Sequence, residues 1–279
     1  MKASRAGQAF FALAIVMVAL WSLAPFLWQF ITSIKSPEEV IAVPPTYWPS
    51  KPSLSSYVQI FKTRPMFATY ILNSLIVALG TTAVCTVFGT LAAYAFSRLK
   101  LPGSGVVVNA IMVIALFPAT LLVVPLKQLI MGAGLLNNPW ALILSYSALN
   151  LPFSIWVLMT FFKQIPMDIE EAAQVDGFTR WGLLWKIIFP LSAPAVATTA
   201  ILIFIFSWNE FLLALTFISR DAARTVPVGI ALLSGVTVYE VPWDQISAAV
   251  VMTTLPVVAM VLLFQRRIIE GLTAGAVKG

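Results

Sequence analysis

Long apolar blocks are separated by shorter polar segments along the chain, and the blocks have the length of membrane-spanning helices. About 30 Å of hydrocarbon requires roughly 20 helical residues at a rise of about 1.5 Å each. Six blocks meet this length and predict six transmembrane helices, at about residues 9–33, 69–97, 105–128, 139–162, 193–217 and 246–265. The pattern therefore predicts an all-α, polytopic membrane protein in which residues 1–279 form a single transmembrane domain.

The composition supports this prediction and excludes several classes of function. Of the 279 residues, 60% are hydrophobic and 10% are charged, whereas soluble domains have about 45–50% apolar and about 25% charged residues. The sequence has no histidine, the commonest general base and metal ligand, and its single cysteine, Cys85, allows no internal disulfide and no thiolate cluster. It also lacks the phosphate-binding pattern G-x-x-x-x-G-K-[ST], which excludes ATP hydrolysis through a P-loop of its own.

The distribution of lysine and arginine predicts which loops face the cytoplasm. Ten of them lie on the face that carries the N-terminus, the turn near 98–104, the segment 163–192 and the tail 266–279, and seven lie on the other face. Positively charged loops favour the cytoplasmic side, so we expect both termini and the segment 163–192 to be cytoplasmic. The segment 34–68 is then extracytoplasmic, and its six prolines favour extended chain over helix.

The segment 163–192 predicts two short helices joined by a hinge. Asp168 and Glu171 have the spacing of a capping box, and Gly177 is placed to end the first helix in a left-handed conformation. Ile169, Ala172 and Ala173 share one face of that helix, and Thr179 can cap the second. Two functions remain open from the spacing: a small projecting helix that docks on another protein, or an amphipathic helix that lies on the membrane surface and binds nothing.

Polar side chains inside the predicted spans are candidates for a substrate pathway. The set consists of Trp208, Asn209, Glu210, Tyr146 and Asn150. Carboxyl and amide groups bind hydroxyls, and aromatic rings pack against apolar sugar faces, so such a set can line a cavity. The alternative is that these groups form interhelical hydrogen bonds that hold the bundle together or interrupt a helix.

The segment 163–192 resembles the EAA loop of permease subunits of ABC importers. Glu171-Ala172-Ala173, Gly177, Ile187 and Phe189-Pro190 follow the pattern E-A-A-x3-G-x9-I-x-L-P, with phenylalanine in place of leucine. Other stretches are similar to the carbohydrate-uptake, maltose-type branch of these permeases: 33–45, 73–74, 92–96, 134–137, 208–211 and 270–279. The resemblance covers nearly the whole chain and implies the fold of a type I ABC importer permease.

The resemblance also implies roles for particular residues. In this family the EAA loop is a coupling helix that docks into a cleft on an ATP-binding subunit. The residues that this assigns to coupling are Glu171, Ala172, Ala173, Asp176, Gly177, Ile187 and Pro190. The tail 266–279 is expected to reach the ATPase dimer, with Gly275 and Lys278 as the contacts.

The implied function is that of a transmembrane permease subunit of an ATP-driven sugar importer, which forms half of the translocation pathway. The expected partners are a second, homologous permease, two ATP-binding subunits (a homodimer or a heterodimer), an extracytoplasmic sugar-binding protein and membrane lipid, with no nucleic acid. ATP and Mg would bind to the ATPase subunits, and this chain is expected to bind no cofactor. The expected location is a bacterial or archaeal cytoplasmic (inner) membrane.

The alternative function is an ion-coupled secondary transporter of a neutral solute. That class usually requires several ionisable groups near the membrane midplane, whereas Glu210 is the one acidic residue well inside a predicted span. An intramembrane enzyme is a weaker rival, because the spans contain no histidine and no pair of acids for acid–base chemistry.

Overall fold

The structure, a computed structural model, describes the backbone of residues 5–99, 101–233 and 241–274, and the side chains between Phe10 and Gln265 within those ranges. These ranges are helical and contain no β-strand. The helices are α1 (Arg5–Ser33), α2 (Pro37–Val40), α3 (Ser55–Thr63), α4 (Phe67–Arg98), α5 (Ser104–Ala115), α6 (Ala119–Gly132), α7 (Pro139–Phe162), α8 (Met167–Val175), α9 (Arg180–Leu183), α10 (Phe189–Leu191), α11 (Ala193–Asn209), α12 (Leu212–Phe217), α13 (Val226–Ala231) and α14 (Trp243–Ala274). A π-helical turn, Leu184–Ile188, joins α9 to α10, and Asp221–Ala223 is a 3-10 turn.

Four helices of the described ranges are long and apolar enough to cross a membrane without interruption. They are Phe10–Ser33, Phe67–Arg98, Pro139–Phe162 and Trp243–Gln265. These agree with the predicted spans at 9–33, 69–97, 139–162 and 246–265. The number of spans rises to six if each of two bent helix pairs is counted as one span.

The first bent pair falls where the sequence predicts the third span. In the second pair only α11 lies within the predicted fifth span, because Arg180–Leu191 belongs to the segment predicted to be cytoplasmic. The helices α5 and α6 meet at 101°, and the helical segment Arg180–Leu191 meets α11 at 78°. The predicted block 105–128 is therefore interrupted, and Pro118 explains the break because proline lacks the amide proton of a helix and disfavours helical backbone before it. The predicted block 193–217 is interrupted at Glu210, whose backbone is extended (φ −67°, ψ 128°).

The chain divides into two compact units, one of residues 1–68 and 229–255 and the other of residues 69–228 and 256–279. In the first unit, α2 and α3 correct the expectation that 34–68 is extended throughout. Pro37 occupies the first turn of α2, where its missing amide proton is not needed. The stretch from Ser53 to Arg64 has no proline, so α3 can form there.

In the second unit, α4 and α7 approach each other closely at a glycine. A Cβ atom built on Gly89 would lie 2.2 Å from the Ser154 Oγ atom, so only glycine fits at this position. The Ser154 hydroxyl donates a hydrogen bond to the Cys85 carbonyl oxygen at 3.0 Å. Small residues and hydroxyl hydrogen bonds are the usual means of packing helices in lipid, where apolar burial supplies little driving force.

Candidate functional site

The short helix α8 and the turn that follows it form the first half of the predicted coupling segment. The helix begins after Pro166, and no side chain caps it, so the predicted capping box of Asp168 and Glu171 is wrong. Proline fixes the chain direction before the helix. Asp168 lies in the first turn, where its carboxylate interacts favourably with the helix dipole.

Gly177 ends α8 as predicted. Its φ is +83°, in the left-handed region. The amide of Phe178 donates to the Ala173 carbonyl oxygen, and the amide of Gly177 donates to the Gln174 carbonyl oxygen, both at 3.0 Å. These two bonds form a Schellman motif, which satisfies the last carbonyl groups of the helix and turns the chain sharply.

The second half of the segment starts at Thr179 as predicted, since its Oγ1 atom accepts a hydrogen bond from the Gly182 amide at 3.2 Å. An aromatic row follows: the ring centroids of Trp181 and Trp185 are 5.8 Å apart, and those of Trp185 and Phe189 are 5.1 Å apart. Of the two other predicted coupling residues here, Ile187 is half-buried and Pro190 is exposed.

The helix α8 contacts the bundle through Glu170 and Ala173. Glu170 and Ala173 are buried, with 3% and 4% of their surface exposed, whereas Ile169 and Ala172 are exposed. Ala173 belongs to an apolar cluster with Phe162 of α7 and other residues of this unit. Of the three residues predicted to share a face, Ala173 is therefore used for packing in the bundle, while Ile169 and Ala172 stay exposed.

The ion pair joins Glu170 to Arg98 at the end of α4, with 2.5 Å between the Arg98 Nε and Glu170 Oε1 atoms. Arg98 also donates to the carbonyl oxygens of Phe162 at 2.6 Å and Ile165 at 2.7 Å, and it contacts the Met167 sulfur at 2.9 Å. Burial raises the pKa of Glu170 above its ordinary value, and the positive charge of Arg98 opposes the rise. We call these contacts the Arg98 clamp; they fasten α8 to α4 and α7.

Sequence reasoning missed the Arg98 clamp. The available signal was the position of Arg98, directly after a predicted span, together with two adjacent acids, Glu170 and Glu171. Neighbouring residues of a helix point in different directions, so only one of the two acids can face the bundle. The outward face of α8 is left with Glu171 and Ala172, and Asp176 follows the helix; all three are exposed. Of the predicted coupling residues on α8, therefore, Ala173 holds the helix in place and the others are accessible.

The predicted polar set inside the spans is brought together only in part. The Tyr146 hydroxyl of α7 donates to the Glu210 Oε2 atom at 2.5 Å. Glu210 also accepts from the amides of Leu213 at 2.8 Å and Ala214 at 3.1 Å. It therefore separates α11 from α12, supplies the hydrogen-bond acceptor at the start of α12, and links both to α7.

The other members of the set bind nearby backbone or pack against apolar neighbours. Asn150 donates to the Tyr146 carbonyl oxygen at 2.8 Å, and Asn209 donates to the Ile205 carbonyl oxygen at 2.8 Å. Trp208 is buried and stacks on Phe204, with 5.7 Å between the ring centroids. Of these polar contacts, the bond from Tyr146 to Glu210 is the interhelical kind, while the Asn150 and Asn209 bonds lie within their own helices. A role in a substrate pathway stays a prediction. The two predicted tail contacts, Gly275 and Lys278, lie outside the described residues.

We expect replacement of Tyr146 by phenylalanine to destabilise the second unit without preventing membrane insertion. The change removes one buried hydrogen bond to Glu210, which is worth about 1–3 kcal/mol. Thermal unfolding in detergent measures the loss. Tyr47→Phe is the matched control, because Tyr47 is 79% exposed. Equal unfolding temperatures for the Tyr146→Phe variant and the control would contradict a structural role for this bond.

Comparison with known proteins shows one family along most of the chain. The pattern of binding-protein-dependent transport system inner membrane components matches residues 51–273. The sulfoquinovosyl glycerol transport permease of Agrobacterium fabrum is 43% identical, over 97% of this chain and 93% of that protein. The trehalose transport permease of Mycobacterium tuberculosis is 40% identical, over 97% of both chains, and the trehalose/maltose permease of Thermococcus litoralis is 41% identical, over 95% and 94%.

A solved structure supports the fold. One chain of a bacterial ABC transporter that imports alginate superposes with a TM-score of 0.78, at 24% identity, over 95% of this chain and 99% of that chain. The likeness confirms the predicted all-α fold of a type I ABC importer permease.

Proposed function

The chain belongs to the family of inner membrane components of binding-protein-dependent transport systems, and on this premise we propose that it carries a sugar or glycoside and is driven by ATP through the segment 163–192. Membership makes it a permease subunit of an ABC transporter, and this supports the main interpretation over the ion-coupled alternative. The proposed sugar specificity rests on relatives whose names state trehalose, maltose or sulfoquinovosyl glycerol.

The proposed assembly contains partners that supply what this chain lacks. A second permease completes the pathway, an extracytoplasmic binding protein delivers the sugar, and two ATP-binding subunits hold ATP and Mg and carry out hydrolysis. Both termini face the cytoplasm of a bacterial or archaeal cell in this proposal. The tail 266–279 is proposed to reach the ATPase dimer.

The observation that carries the coupling proposal is the pair of faces on α8. One face is fixed to the bundle by the ion pair of Glu170 with Arg98 and by Ala173, while Glu171 and Asp176 lie exposed on the outward side. A short helix held in this way transmits a displacement to the ends of α4 and α7 instead of yielding to it. Coupling requires such a link, because ATP must change the relative free energies of two bundle conformations.

The proposed transport cycle follows from the attachment of α8 to α4 and α7. Closure of the ATP-bound dimer draws the docked α8 inward, and the Arg98 clamp passes the movement to the spans, so that the pathway opens outward to accept sugar. Hydrolysis releases the dimer and returns the pathway to the inward-facing state. The contribution of this chain is mechanical and involves no covalent step.

We expect the charge reversal Glu171→Lys to lower sugar uptake by about tenfold or more, since a coupling free energy of about 1–3 kcal/mol is at stake. The measurement is ATP-driven uptake of labelled trehalose by the whole complex in proteoliposomes, with the amount of permease and bound ATPase determined on the same samples. Lys163→Glu is the matched control, as an exposed charge reversal in the same segment outside the outward face of α8. Normal uptake and normal ATPase binding in the Glu171→Lys variant would refute the assignment, as would uptake that needs an ion gradient and no ATP.

A further inference from the structure

A half-open cavity of about 270 Å³ lies within the first unit. Its wall is formed by the end of α1, the chain around α2 and the start of α14. The residues that matter to its chemistry are Trp28, Gln29, Thr32, Lys35, Trp243 and Ser247. With Glu39 and Thr46 of the same wall, the cavity combines two indole rings with an amide, three hydroxyls, an amine and a carboxylate.

The charged groups of this cavity already have partners within the chain. Lys35 is 3% exposed, donates to the Thr46 carbonyl oxygen, and lies 4.8 Å from the centre of the Trp28 ring. The carboxylate of Glu39 accepts from the Ser50 amide at 2.9 Å and from the Ser50 hydroxyl at 3.0 Å. A charged ligand would have to compete with these partners, so the cavity favours a neutral one.

Three neutral polar side chains of the wall are unused. Within the described part of the chain, Gln29, Thr32 and Ser247 form no side-chain hydrogen bond. Ser247 is 3% exposed and Thr32 is 9% exposed. Buried polar groups in proteins are nearly always hydrogen-bonded, so these side chains are available to a ligand that brings hydroxyl groups.

We propose that this cavity binds one ring of a neutral saccharide, as a holding site on the face of the membrane that receives the sugar. The inference rests on the proposed function for the side from which sugar arrives. Ligand sites usually measure about 300–1,000 Å³, so a cavity of this size accommodates a single pyranose ring and no longer oligosaccharide. The indole of Trp243, which is 53% exposed, offers an apolar surface for the ring, and Thr32 and Ser247 offer hydroxyls to its oxygens.

The test is binding of sugars to the whole transporter in nanodiscs, without the extracytoplasmic binding protein and without ATP. The probes are trehalose, maltose and glucose at millimolar concentration, followed by saturation-transfer NMR. We expect binding to the wild-type complex, about a threefold to tenfold weaker affinity for Trp243→Ala, and a similar loss for Ser247→Ala. The second variant removes one hydroxyl and leaves the packing of α14 intact.

Trp48→Ala is the matched control, because Trp48 is an exposed tryptophan of the same unit that does not line the cavity. Its affinity should equal that of the wild type. Equal affinities in all variants, no binding of any probe, or occupation of the cavity by a lipid headgroup would each overturn the proposal. Basal ATPase activity and ATP-dependent uptake are measured in parallel. Normal uptake without sugar binding at the cavity would refute the holding site alone, and sugar binding without ATP-dependent uptake would refute the proposed function alone.

Discussion

Replacement of Arg98 by alanine is expected to detach α8 from the bundle and to abolish transport. The change leaves the carboxyl group of Glu170 buried without its ion-pair partner, and breaking a buried pair in this way costs about 3–5 kcal/mol. It also frees the carbonyl oxygens of Phe162 and Ile165, which Arg98 satisfies. Thermal unfolding in detergent, together with co-purification of the ATP-binding subunits, measures the effect.

The loss of folding stability in the Arg98→Ala variant should become larger as the pH rises. Burial already raises the pKa of Glu170 above its ordinary value of 4.5, and removal of the guanidinium raises it further. A carboxyl with a raised pKa in the folded state binds more protons there than in the unfolded state, so stability is retained below about pH 4.5 and falls as the pH rises through the folded-state pKa. The variant should therefore be closer to wild type at acidic pH, near the ordinary carboxyl pKa of 4.5, than at neutral pH.

Two further variants separate the ion pair from a general loss of an arginine. The double variant Arg98→Ala, Glu170→Gln should recover part of the stability, because the glutamine amide carries no buried charge. Arg64→Ala should have a small effect, since Arg64 is an exposed arginine that donates to one carbonyl oxygen, that of Leu232. A pH-independent loss, or no recovery in the double variant, would contradict the role assigned to the ion pair.

The length of the apolar blocks was enough to predict the uninterrupted spans, because the bilayer imposes one length on every crossing helix. The break at Pro118 was not predicted, since hydropathy averaged over a block does not register local backbone geometry, and the interruption at Glu210 was left open as one alternative. Pro118 lies inside an apolar run and still interrupts it. Glu210 was recognised as unusual, but its use as an acceptor for the amides of Leu213 and Ala214 depends on the chain turning there.

Within the coupling segment, sequence predicted two local features correctly, a third, the capping box of Asp168 and Glu171, was wrong, and the contact with another span was missed. The left-handed turn at Gly177 and the cap at Thr179 depend on a few consecutive residues, so their spacing reveals them. The partner of Glu170 is Arg98, which lies on another span, and no periodicity within α8 could identify it. The same limit applies to Tyr146 and Glu210, which were both named as candidates without being paired.

Replacement of Gly177 by valine is expected to abolish transport while leaving membrane insertion intact. The φ of +83° is unfavourable for a residue with a Cβ atom, by about 1–2 kcal/mol, and more for a β-branched side chain. A Cβ atom at this position would meet no atom of this chain within 4 Å, so the strain within the chain comes from backbone conformation and not from crowding. Relief of the strain reorients the turn and breaks the two hydrogen bonds that end α8, so its outward face no longer meets the ATPase correctly.

Two matched variants test this explanation. Gly177→Asn should retain most of the uptake, because asparagine tolerates the left-handed region. Gly134→Val imposes a similar strain at φ +69°, again with no atom within 4 Å, but outside the coupling segment. It should lower the unfolding temperature about as much as Gly177→Val and still permit ATP-driven uptake. If Gly177→Asn and Gly177→Val lost uptake equally, the side chain would matter and not the backbone conformation. If Gly177→Val and the wild type had equal uptake, the turn would not belong to the coupling path. A hinge that accepts a β-branched residue without loss does not hold α8 at a fixed angle.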